Sequence, residues 1–285
     1  MEPLMITASC GFTRLPDAEP RADTVEEVVE SVYQCSRAGA CIAQVRAPFT
    51  VDPETGQATT NLQTWIDIFK GVRARCDILL HIGVAGGPID KRIELLKAVR
   101  PEISAFLVSH HDIVVRGHDI YQLLLRPDAV RLLRAHVEEG VVPAFEIFHT
   151  GALWNLEYCL REVDVPRPLA LTLFYWEGGL WAPPTIEELL QRISVLPKDA
   201  SYTLATAHGP QHTLMHALAI GRGGHVRAGF GDHYPYYTEG VLGQSNAQFV
   251  SRMVRLAREM GREIATPDVA TKLMGIKRNA DGGKH

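Results

Sequence analysis

The chain has 285 residues, of which 46% are hydrophobic and 22% charged, with a formal net charge of -4. That length buries a large core without disulfide or metal staples, and the ordinary balance excludes disordered and collagen-like classes. Slight acidity without a Lys/Arg block excludes a general nucleic-acid binder, and no apolar run reaches the roughly 18 residues of a membrane span.

Met1-Glu2-Pro3-Leu4 shows no basic segment ahead of an apolar one, so no secretory leader is expected. Five cysteines without a C-x-x-C pair point to a reducing cytoplasm and away from a cysteine-built metal site. Twelve histidines are the compositional oddity, and their positions decide what they mean.

Short apolar runs alternate with amphipathic stretches along the chain. The predicted strands are Leu4–Ser9, Ala40–Ala47, Ile78–Val84, Ala105–His110, Val142–His149, Leu169–Trp176, Tyr202–His208 and Gly224–Phe230. Their centres are continuously apolar, as in strands buried on both faces. Between them Thr24-x-x-Glu27 is a capping box opening Val25–Ala38, and Gly39 follows the last turn. Helices are also predicted over Asn61–Arg75, Asp90–Val99, Pro127–Glu139, Leu153–Arg161, Leu189–Leu196 (behind the second capping box, Thr185-x-x-Glu188), Gln211–Ile220 and Ser245–Met260. Thr266-Pro267 opens a last short helix. Eight β-then-α units predict a single-domain (β/α)8 TIM barrel over residues 1–278, with a C-terminal helical extension and a flexible tail at 279–285. A doubly wound sheet is the alternative, and no G-x-G-x-x-G after the first strand supports it.

A barrel of this kind carries its chemistry at the C-terminal ends of its strands. Those ends offer Gln44 and Arg46, His81, Ser109 and His110, Glu146 and His149, Tyr175 and Glu177, His208, Arg227, and finally Asp232 and His233. A lone histidine there is more often a hydrogen-bonded structural residue than a catalyst, but convergence on one rim favours a functional group. Glu146 lies inside a strand between Phe145 and Phe148, so it needs a partner. An ion pair with Arg46 or Arg227 that merely braces the barrel is the plain reading. Aromatic loops Tyr175–Trp181 and His233–Tyr237 would either cover a substrate or sit in an oligomer interface.

The residues resemble the β-keto acid cleavage enzymes, the 3-keto-5-aminohexanoate cleavage family, over nearly the whole chain. The resemblance rests on Ile6-Thr7-Ala8, Thr24–Ala47, Pro101-Glu102, Phe145-Glu146-Ile147-Phe148, and above all Gly224-His225-Val226-Arg227-Ala228-Gly229-Phe230-Gly231-Asp232, followed by Ser245-Asn246 and Ala265-Thr266-Pro267. It implies a tetrameric barrel that cleaves a β-keto acid with acetyl-CoA as co-substrate. It also implies a divalent metal, usually zinc, on an H-x-H pair ending strand two and a glutamate just before the aspartate after strand eight. This chain departs there: the H-x-H positions hold Gln44 and Arg46, and the glutamate position holds Gly231. Arg227, Asp232 and Glu146 are kept, and the resemblance places them in the acid–base pocket.

These departures lead us to expect carbon–carbon bond chemistry on a small anionic keto or hydroxy compound, through an enolate-like intermediate and without the family's metal. Arg46 would act as electrophile with Gln44 beside it, and Arg227 would clamp a substrate carboxylate. Asp232 or Glu146 would be the base, with His81, His110, His149, His208 and Tyr175 as further substrate contacts. One alternative is a relocated zinc site on His81, His208 and Glu146. Another is a small-molecule-binding relic that turns nothing over. No phosphate fingerprint argues for CoA.

Overall fold

The apolar runs form strands whose two faces are both covered, and the chain closes them into a cylinder. The computed structural model describes residues 1–10, 24–46, 49–51, 58–83, 88–109, 111–115, 118–122, 124–176, 181–206, 211–232, 236–238 and 240–277. In chain order the first half runs β1 (Ile6–Cys10), α1 (Val25–Ala38), β2 (Ile42–Val45), β3 (Phe49–Val51), β4 (Ala58–Thr60), α2 (Leu62–Arg75), β5 (Leu79–Ile82), α3 (Ile89–Val99), β6 (Ile103–Leu107), β7 (His111–Val115), β8 (His118–Gln122) and α4 (Arg126–Glu138). The second half runs β9 (Val142–Ile147), α5 (Ala152–Glu162), β10 (Leu169–Tyr175), α6 (Ile186–Ser194), β11 (Ala200–Thr206), α7 (His212–Gly221), β12 (His225–Ala228), β13 (Tyr236–Thr238), β14 (Val241–Leu242), α8 (Asn246–Glu259) and α9 (Pro267–Leu273).

Eight strands close in the order β1-β12-β11-β10-β9-β6-β5-β2, all pairs parallel. This is the (β/α)8 barrel that the sequence predicts. The predicted helices are present, and both capping hydroxyls act as expected: Thr24 accepts from the Glu27 N–H, and Thr185 from the Glu188 N–H. Gly39 ends α1 with φ 111°, the left-handed conformation that favours glycine. The fourth barrel strand begins at Ile103, two residues before its predicted start, and ends at Leu107. Three antiparallel pairs outside the barrel sheet, β3–β4, β7–β8 and β13–β14, were not foreseen. The predicted flexible tail lies outside the described residues.

Side chains alternate between the helix-facing surface and the barrel interior. Phe106, Phe145, Leu173 and Val226 point outward into one large apolar core beneath the helices. Inside, the lower end is filled by Met5, Ile42, Leu79, Ile103 and Ala144, against Val269, Ala270, Leu273 and Met274 from α9 and the turn after it. The C-terminal helix thus plugs the bottom of the barrel and leaves the polar chemistry to the upper half. No helix among the described residues is long and apolar enough to cross a membrane.

Candidate active site

Parity along each strand selects the interior residues. Thr7, Ile42, His81, Ile103, Ala144, Thr172, Thr203 and Arg227 border one internal cavity. Two positions on from Ile42 and Ala144, the same face carries Gln44 and Glu146. Gln44 and His81 are paired neighbours in the ladder, as are Ser9 and Gln44. The Ser9 hydroxyl donates to Gln44 Oε1 at 2.8 Å. That fixes the amide, and the buried Gln44 Nε2 has no partner among the described residues.

Gly83, just past β5, makes room for this corner. A Cβ there would lie 2.9 Å from Gln44 Cδ and Nε2 and 3.0 Å from Arg46 Cγ. Without a side chain at 83, Gln44 and Arg46 fold across the end of the neighbouring strand.

Arg227 projects from β12 and meets Asp232, which lies in the short 3-10 turn Phe230–Asp232. Its Nε donates to Asp232 Oδ2 at 3.0 Å and its Nη2 to Oδ1 at 2.6 Å, with both side chains buried. The guanidinium lies over the Phe174 ring, 4.7 Å from its centroid. The turn is tied to the start of α8 by Asn246, whose Oδ1 accepts the Phe230 N–H at 2.7 Å. Gly229 has φ 144°, and a Cβ there would fall 2.5 Å from the Ser9 carbonyl oxygen. Only glycine lets the turn approach so closely.

The charges act on one another. Burial raises the Glu146 carboxyl above its ordinary value, while Arg227, Arg46 and Arg92 draw it back down. Burial lowers Arg46, opposed by Asp232 and Glu146 and reinforced by Arg227. His81 is pushed well below its ordinary value by burial and by Arg227 and Arg46, so its imidazole is neutral. Arg46, His81, Glu146, Arg227 and Asp232 therefore form one electrostatic cluster, with Gln44 beside them.

Other expected contacts fall elsewhere. Tyr175 has the parity opposite to Phe174 and points out of the barrel, under Arg192 of α6 at 4.2 Å. The structure does not bring it to the cluster. His149 is half-buried, and the charge acting on it is that of Arg192. His110 and His208, together with Glu177 and His233, lie outside the described residues. The bidentate clamp expected of Arg227 is already occupied by Asp232, which leaves Nη1 as its one nitrogen without a partner among the described residues. Two other histidines are structural: the buried His216 lies between the carbonyls of His212 and Arg227 and can donate to one of them, and His225 accepts the Met5 N–H at 3.0 Å.

Two participants escaped the sequence reading. Ser9 shares the inward parity of Thr7 and orients Gln44. Arg92 lies on the apolar stripe of α3 with Ile89, Ile93 and Leu96, a signal visible in the spacing. It is buried, donates to the Ala105 carbonyl at 3.3 Å, and adds positive potential at Glu146.

The residues standing where the resemblance places metal ligands do not fit a metal. Gln44 turns its only acceptor oxygen to Ser9, Arg46 is a cation, and Gly231 has no side chain. A Cβ at 231 would lie 2.5 Å from Ser9 Oγ. Among the described residues, no group of three or more His, Cys, Asp or Glu could hold a metal ion.

The family profile described as beta-keto acid cleavage enzyme matches residues 7–276. The 3-keto-5-aminohexanoate cleavage enzyme of Fusobacterium nucleatum is 29% identical, with 98% of this chain and all of that protein covered. The 3-dehydrocarnitine:acetyl-CoA trimethylamine transferase of Rhizobium meliloti is 26% identical over 95% of this chain and 96% of that one. Among solved structures, apo ObcA superposes with a TM-score of 0.65 at 15% identity over 89% of this chain. The chain covers 65% of ObcA's length, and at this identity the likeness speaks for the fold.

Proposed function

The chain belongs to the β-keto acid cleavage enzyme family, and from that membership we propose that it makes or breaks a carbon–carbon bond in an anionic keto or hydroxy compound through an enolate-like intermediate, with the Arg46 guanidinium as its electrophile in place of a metal. One observation carries this reading: Arg46 stands within the electrostatic reach of Glu146, Asp232 and Arg227, at a position where the resemblance would put a metal ligand. A guanidinium aimed at a developing oxyanion in a dry pocket stabilises it through charge-assisted hydrogen bonds. Gln44, whose Oε1 accepts from the Ser9 hydroxyl, offers the second donor in Nε2, which has no partner among the described residues.

Glu146 is the better base. Asp232 has both oxygens engaged by Arg227, whereas burial raises Glu146 towards the range useful for proton abstraction. Arg227 then positions Asp232 and offers Nη1 alone. The name of the Rhizobium meliloti relative supports acetyl-CoA as co-substrate. Family resemblance supports a homotetramer, and the five cysteines without a C-x-x-C pair support a reducing cytoplasm.

The test is turnover of a panel of β-keto acids, with and without acetyl-CoA, after dialysis against a chelator. Activity should survive chelation, and Arg46→Ala should lower kcat by about 100-fold or more. Full activity of Arg46→Ala, or activity lost on chelation and restored by zinc, overturns the assignment. Binding of an anionic acid without any turnover would identify a relic instead.

A further inference from the structure

Beneath the charged layer the barrel encloses a cavity of about 30 Å³. Its upper wall is His81 and Arg227, and its sides carry the hydroxyls of Thr7, Thr172, Ser201 and Thr203. Met5 and Met274 line its lower end, where α9 packs. The space is too small for an organic acid and large enough for one or two water molecules, each of which needs at least about 10–15 Å³.

The lining is apolar over its larger part and polar at His81, Arg227 and the four hydroxyls, where water can be held. Apolar cavities of this size stay dry, whereas polar ones hold water that satisfies otherwise orphaned groups. Two residues that line this cavity carry such groups: the buried His81 Nε2 and the buried Arg227 Nη1 have no hydrogen-bond partner among the described residues. The other two Arg227 nitrogens are committed to Asp232.

We propose that this cavity is a binding site for ordered water that bridges Arg227 Nη1 and His81 Nε2, and that the bridge fixes His81 as the Nδ1-protonated tautomer. A guanidinium only donates, so the water accepts from Nη1, and both its hydrogens remain to donate, one of them in this proposal to His81 Nε2. His81 is neutral between two arginines, and a neutral imidazole has one acceptor nitrogen and one donor. Water donating to Nε2 leaves the proton on Nδ1. His81 is then a neutral donor with a set orientation, and this bridge is the partner that a ring nitrogen needs to select its tautomer. The threonine and serine hydroxyls, which both donate and accept, complete the water's coordination.

The experiment needs no substrate. Protein labelled with ¹⁵N-histidine is examined by NMR at neutral pH, with the His81 signals assigned by their loss in His81→Phe. The expected result is a protonated Nδ1 and a bare, hydrogen-bonded Nε2 on His81. A high-resolution crystal structure should place a water within about 3.2 Å of both Nε2 and Arg227 Nη1. Ala144→Leu, which grows a side chain into the cavity, should expel that water and erase the tautomer preference. Should Ala144→Leu fail to fold, the nearly isosteric Thr203→Val removes one of the hydroxyls and should weaken the preference. A protonated Nε2 on His81, or a dry cavity in the wild-type crystal, overturns the proposal. Either result leaves the role of Arg46 untouched.

Discussion

Gly231 tests whether the loss of the metal-ligand position is built into the packing. An alanine there puts its Cβ 2.5 Å from Ser9 Oγ and 3.1 Å from the Ser9 carbonyl oxygen. Ordinary contact begins at 3.4 Å, so the hydroxyl must retreat by about 0.9 Å. The same hydroxyl holds Gln44 at 2.8 Å, and that bond breaks as it moves. Overpacking of this kind costs about 1–3 kcal/mol, and the lost hydrogen bond about 1 more. Gly231 is not in the left-handed region, so backbone strain adds nothing. Gly231→Ala should therefore lose roughly 2–4 kcal/mol in urea denaturation, or about 3–7 °C in Tm. Ser9→Ala removes the struck atom, so the double variant should recover roughly 1–2 kcal/mol relative to additivity. Gly231→Ala within about 0.5 kcal/mol of wild type, with no coupling to Ser9, would refute the steric argument.

Other outcomes follow from the same geometry. Glu146 has its folded pKa raised by burial, so its charged form destabilises the fold as pH rises through that value. Glu146→Gln should be more stable than wild type at pH 8 by urea melts, yet lose about 100-fold or more in kcat. The acid limb of kcat/KM in the wild type should lie above the ordinary carboxylate value, and a limb near pH 4 would speak against Glu146 as base. His136 and His225 are held neutral by burial, with pKa lowered to about 4 and about 3. Their stabilisation is present above pH 6.5 and is lost as pH falls towards those values, on the order of 1 kcal/mol per unit for each histidine. Removing one titrating group in His136→Leu should flatten that acid slope, and an unchanged slope would contradict it. Arg192 donates to the Ile147 and Phe174 carbonyls at 3.1 and 2.8 Å and to Glu188 at 2.9 Å. Arg192→Met should cost roughly 2–4 kcal/mol in denaturation, and a variant as stable as wild type would show these bonds to be dispensable.

The barrel was legible because strands buried on both faces leave continuous apolar runs, and helix starts leave capping signatures such as Thr24 and Glu27. The three antiparallel pairs left no such trace, since each joins only two short strands outside the barrel sheet. Site residues were legible where strand parity was respected. Gln44, His81, Glu146 and Arg227 have inward positions, and their polarity within apolar runs marked them. Tyr175 was gathered by its place at a strand end, although Thr172 lines the cavity and puts odd positions of β10 outside. Ser9 and Arg92 show the opposite failure. A serine among small strand residues and an arginine on a helix look unremarkable until the fold places one against Gln44 and the other behind Glu146.

Charge ties the three departures from the family pattern together. By resemblance, a divalent ion held by two neutral histidines and one glutamate leaves a single net positive charge facing the substrate. In this chain Gln44 is neutral, Arg46 supplies one positive charge, and Gly231 supplies none. The balance is the same, so a reaction passing through an enolate-like anion meets the same net charge. Packing accompanies the charge: the Ser9 hydroxyl occupies the space a side chain at 231 would need, and the same hydroxyl donates to Gln44.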